Sequence, residues 1–173
     1  MGLRLDSLKG WLRALVGDGE VFKRSGTAIV GVEPSTLTTR QTIAFGLPNV
    51  AAGDNATLAS ATAQQLYVGG TSGLSTCGYV APRAGSLTAL SAHLSGAAAG
   101  SNAVVYVYKN GSLLDATAIV TLASATSDTK ARGTFTQGSL TFAAGDVIDV
   151  RVRTNSSWSA TTVDLAAFLE IAD

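Results

Sequence analysis

Between Val104 and Val152 the chain alternates apolar and polar positions in short runs separated by turn residues. Val104-Val105-Tyr106-Val107-Tyr108 is followed by Lys109-Asn110-Gly111-Ser112 and then by an apolar return strand over 113–122. Asn-Gly between two such runs predicts a hairpin, because a type I′ turn needs positive φ at both central residues. Leu140 to Asp146 leads into Val147–Val152, where Ile148, Val150 and Val152 face one way and Asp149, Arg151 and Arg153 the other. Upstream, Leu90, Ala92 and Leu94 share a face, with Ser91 and His93 between them. The last run puts Val163, Leu165, Ala167, Leu169 and Ile171 on one face. Further strands are expected at 65–68, 103–109 and 133–136. Short strands with turn signals every eight to twelve residues or so predict an antiparallel sandwich or barrel.

The first third reads differently. Leu8, Trp11, Leu12, Leu15 and Val16 fall on one face of a helix over 7–16. Asp6 or Ser7 caps its start and Gly17 ends it. So short a helix, with Gly10 inside it, needs something to cover its apolar stripe. That cover is either its own domain or a partner, in which case these five residues are a docking element. Residues 21–24, 27–32 and 42–45 form short candidate strands punctuated by Gly and Pro. The small, polar stretch from Ala51 to Ala63 reads as an extended arm that takes its order from neighbouring subunits. The expected division is therefore 1–63 as helix and extended arm for docking, and 64–173 as the β-sandwich.

Composition narrows the choice of partners. Charged residues make up 14% of the 173-residue chain, against roughly 25% in an average soluble domain. With so few charges, the surface is either wetted by its many Ser and Thr residues or covered by copies of the chain; neutral surfaces favour association. Formal net charge is +0, so no basic field draws the chain to nucleic acid or to an anionic membrane. No apolar run of about 18 residues is present to form a membrane-spanning helix. The N-terminal residues lack the layout of a signal peptide, and Cys77 stands alone and forms no internal disulfide.

Tyr79-Val80-Ala81-Pro82 before Gly85, the Tyr108-Lys109-Asn110-Gly111 hairpin, Ala144-Gly145-Asp146, and a hydrophobic strand ending almost at the terminus occur here in a particular order. Over Gly78 to Ile171 this order resembles the jelly rolls of the tumour-necrosis-factor-like and complement globular-head family. The resemblance implies an all-β fold, an antiparallel jelly-roll sandwich preceded by a short N-terminal amphipathic helix and extended arm. It also implies a homotrimer. Similar domains recur in bacteriophage virion proteins, where a short chain with a helix or arm before the jelly roll is most similar to capsid decoration (cement) proteins. The expected role is structural. A trimer made in the host cytoplasm would sit on the outer surface of the capsid and bridge capsomers of the major capsid protein. The alternative is a fibre or tail-tip module that recognises a host surface.

The residues point to no catalytic or cofactor chemistry. His93 is the single histidine, and no Gly-x-Ser-x-Gly elbow supplies a nucleophile for it. One His and one Cys make no zinc site of usual spacing. Asp146 and Asp149 belong to no twelve-residue calcium loop, and the 69–73 loop lacks the Gly-Lys-Ser/Thr ending of a phosphate-binding loop. Trp158, in a polar loop, is either a surface contact that stacks on a sugar or a neighbour, or a ring tucked over the end of the sandwich.

Overall fold

The computed structural model describes residues 21–25, 28–32, 39–55, 57, 59–69, 77–96, 102–117, 119–123, 129–159 and 162–173. All regular structure in these residues is β-strand. The chain divides into two compact units, Met1–Thr39 and Arg40–Asp173. In the first, β1 (Val21–Ser25) and β2 (Ala28–Val32) form an antiparallel pair with Val21 opposite Val32. The expected helix over 7–16 lies outside the described residues.

The second unit holds two antiparallel sheets. The first sheet has the order β11 (Lys130–Thr134), β7 (Gly85–Leu94), β14 (Leu165–Ala172), β3 (Arg40–Leu47), β5 (Tyr67–Val68), with β12 (Thr141–Phe142) beside β7. The second has the order β10 (Ile119–Leu122), β8 (Ala103–Lys109), β13 (Val147–Thr154), β4 (Gln64–Gln65), with β6 (Tyr79–Val80) beside β13 and β9 (Ser112–Leu113) beside β8. The pairings are nested: β8 with β10, β7 with β11, β4 and β6 with β13, and β3 with β14.

The inner faces are those that the alternation predicts. Leu90, Leu94, Val105, Val107, Val150, Val152, Ala167 and Leu169 are all fully buried, and they join one core with Phe45, Leu66 and Leu122. Burying a Leu or Val side chain completely contributes about 1.5–3 kcal/mol. Such a core offsets the entropy of ordering short strands joined by loops. A β-bulge interrupts the β14–β7 ladder between Glu170 and Ile171, so that Thr88 and Ala89 together oppose Glu170. The extra residue, Thr88, is buried, and its hydroxyl donates to Glu170 Oε1 at 2.7 Å.

Three expectations are corrected. The sandwich begins at Arg40 rather than Gln64, because β3 pairs along its whole length with β14 and buries Ile43, Phe45 and Leu47. The stretch expected to be an arm over 51–63 is tied to its own domain. Ala51 and Gln64 exchange bonds of 3.0 and 2.9 Å, and Gly53 N–H donates to Asn155 O at 3.1 Å. A Cβ at Gly53 would collide with the Thr154 carbonyl, so only glycine lets the two segments approach. The return strand expected over 113–122 is two pieces, because Asp115 Oδ1 accepts from both Thr117 N–H and Thr117 Oγ1 at 2.6 Å and turns the chain between them.

Among the residues whose burial is described, the core cluster runs from Ile43 to Ile171, within the second unit. A chain trimmed to residues 40–173 is therefore expected to keep one cooperative thermal transition within a few degrees of the full chain. Loss of cooperativity, followed by circular dichroism, would show that the core needs the first unit.

Candidate functional site

One end of the sandwich is closed by two turns locked to each other. Asn110 and Gly111 have φ of 51° and 78°, as the type I′ turn requires. Gly145, at φ 88°, lets the chain turn into β13. The Asn110 amide nitrogen donates to Asp146 Oδ1 at 2.7 Å, Asn110 Oδ1 accepts from Val147 N–H at 2.9 Å, and Asp146 Oδ2 accepts from Ala143 N–H at 2.8 Å. The Ala143 N–H and the Asn110 amide hold the Asp146 carboxyl below its ordinary value. Thr62 does the same for Asp54 and Thr117 for Asp115.

The outer face of the second sheet carries a polar-aromatic cluster. Tyr106 and Tyr108 on β8 stand opposite Arg151 and Asp149 on β13. The Arg151 guanidinium lies 4.2 Å from the centre of the Tyr108 ring and pairs with Asp149 at 2.8 Å. Arg153 lies over Tyr106 at 4.9 Å, donates to the Tyr108 hydroxyl at 3.0 Å and to the Ala59 carbonyl at 2.9 Å. Asp149 is only 4% exposed. Asp149 Oδ1 and the Nε atoms of Arg151 and Arg153 are buried without a hydrogen-bond partner. The cluster carries that cost while joining β8, β13 and the 51–62 segment into one network.

The outer face of the first sheet is different. Phe168, in the middle of β14, is 44% exposed between Ala44 on β3 and Ser91 on β7. Next to it lies a groove of about 470 Å³ lined by Phe168, Ser91, Ala92, His93, Lys130, Ala131 and Arg132. Arg132 stands opposite Ser91, and Lys130 opposite His93. Two other large apolar side chains are exposed among the described residues: Val80 and Leu113, both on the second sheet.

Of the residues singled out from sequence, Leu8, Trp11, Leu12, Leu15 and Val16 lie outside the described residues. Trp158 is not a surface contact: it is 3% exposed, and its indole N–H donates to Val50 O at 2.9 Å. His93 is half-buried on the groove, and Cys77 is exposed. Among the described residues no three His, Cys, Asp or Glu side chains are grouped to hold a metal ion, and no helix is long and apolar enough to cross a membrane. Sequence reasoning missed Phe168, whose signal is an aromatic residue out of phase with the core positions of its strand. It also missed the stacking of Tyr106 and Tyr108 on the arginines, for which the same period of two was the available cue. No family model matches the chain, and no characterised protein matches it significantly.

Two predictions follow from this geometry. The Asp146 carboxyl is depressed in the folded state, so its contribution to stability is present above the unfolded value near 3.8 and is lost as pH falls through the folded value. Asp146→Asn is expected to weaken folding at pH 7 and to flatten the acid side of the stability profile, measured by urea unfolding. If its profile keeps the parent's slope below pH 4, the bonds to Ala143 and Asn110 do not stabilise the charge. Arg151→Met is expected to destabilise by about 3 kcal/mol, because it leaves a buried carboxylate unpaired. Adding Asp149→Asn should recover more than half of that loss, and equal stabilities of the single and double variants would rule out the ion pair as the cause.

Proposed function

We propose that this chain is a structural protein of a bacteriophage virion: a trimeric jelly-roll decoration (cement) protein on the outer surface of the capsid. The observation that carries the reading is the nested strand order. Strands β3 with β14, β4 and β6 with β13, β7 with β11, and β8 with β10 pair as a long hairpin folded over on itself, and from β3 to β8 successive strands fall in alternate sheets. That nesting supports the jelly-roll architecture and, through it, the resemblance drawn from Gly78 to Ile171. The low charge content of 14% supports contact between copies, since neutral surfaces favour association.

In this reading residues 40–173 form the trimer body, and docking to the major capsid protein falls to residues 1–39, with Leu8, Trp11, Leu12, Leu15 and Val16 as the contacts. Three docking elements on one trimer bind together far more strongly than one, and binding only the assembled shell stabilises that shell by mass action. No catalysis, cofactor, nucleic acid or membrane enters the reading. The alternative, a fibre or tail-tip module contacting a host surface through loop 154–160, has lost its aromatic contact, because Trp158 is buried.

Light scattering of the full chain is expected to give three times the 17.5 kDa chain mass. A monomeric mass at micromolar concentration would overturn the trimer. Residues 40–173 are expected to remain trimeric and to stop sedimenting with phage heads that the full chain decorates. Immunogold label at one pole of the virion, instead of over the whole head, would overturn the capsid location.

A further inference from the structure

We infer that the groove beside Phe168 is a binding site for a small amphipathic carboxylate, an apolar ring or short chain bearing one carboxylate group. The inference does not depend on the virion reading. At about 470 Å³ the groove falls within the size range of small-molecule sites. Its lining has two characters. The Phe168 ring offers apolar surface, while His93, Lys130 and Arg132 are basic, and no acidic side chain is among the described lining residues. On a chain of net charge +0, Lys130 and Arg132 bring two formal positive charges to one groove.

Arg132 decides the chemistry. It is exposed, and it has no ion-pair partner among the described residues, whereas Arg40, Arg83 and Arg151 pair with Glu170, Asp173 and Asp149. Its planar fork matches a carboxylate through two parallel bonds. Arg132 and Phe168 flank Ser91 on adjacent strands of one face, so a ligand one ring wide reaches both. The ring of Phe168, 44% exposed on a middle strand, then loses water contact to the apolar part of the ligand. The Ser91 hydroxyl between them can donate to the second carboxylate oxygen. A dianionic phosphate is costlier to bring against an apolar wall than a single carboxylate, which favours the carboxylate.

The test is an amide chemical-shift titration of the full chain with benzoate, benzyl alcohol and phenyl phosphate. Benzoate is expected to give saturable shifts at 91–93, 130–132 and 166–168, and benzyl alcohol to bind at least about tenfold more weakly, since it lacks the charge-assisted bonds. Arg132→Gln, an exposed change expected to leave the melting temperature unaltered, should weaken benzoate at least about fivefold. Phe168→Ala should weaken benzoate and leave its salt dependence in place. The assignment is overturned if benzoate shifts none of these amides, if benzyl alcohol or phenyl phosphate binds as tightly, or if Arg132→Gln binds benzoate like the parent.

Discussion

The register of β14 between β7 and β3 is the constraint on which the rest of the sandwich depends. Side chains alternate with a period of two along a strand, so a slip of one residue would turn Leu165, Ala167, Leu169 and Ile171 out to solvent and bring Ala166, Phe168 and Glu170 in. The cost of exposing that row, and of burying the Glu170 carboxylate, makes the pairing unique. The bulge at Thr88 lets both halves of β7 keep their apolar residues inward although the ladder shifts, and its buried hydroxyl is satisfied by Glu170. On the facing sheet Ile148, Val150 and Val152 of β13 impose the same rule.

With both inner faces committed to one core, the outer faces are left for other work, and they differ in kind. The second sheet is closed by its own side chains. Arginines stacked on tyrosines cover the strands, and the Asp149 carboxylate beneath them makes removal of either charge costly. The first sheet is open. Small residues surround Phe168, and the basic groups beside it are gathered by strand pairing from β7 and β11. A ligand would meet a preformed surface on a stiff sheet, since the residues flanking it alternate with buried ones that fix their strands.

The turns at Asn110 and Asp146 give the same end of the sandwich its closure. Each was legible alone, as Asn-Gly between apolar runs and as Gly-Asp before a strand. Their mutual bonds were not, because they join residues separated by 36 and 37 positions. The stretch from Ala51 to Ala63 shows the same limit. Nothing local in its small, polar residues predicts order, and the carbonyl, amide and hydroxyl that tie it down come from Asn155, Gln64 and Thr154.

By itself the sequence determined the all-β class, the inward faces of β7, β8, β13 and β14, and the glycine turns, because alternation and positive φ are properties of a residue and its immediate neighbours. Tertiary structure alone decided where the sandwich begins, that Trp158 is buried against Val50, and that Phe168 and Arg132 share an open groove. Those outcomes rest on which strands lie side by side. Pairing is set by the total burial of two sheets and not by any window of the chain, so residues as far apart as Arg132 and Phe168 become a site only when the whole core has formed.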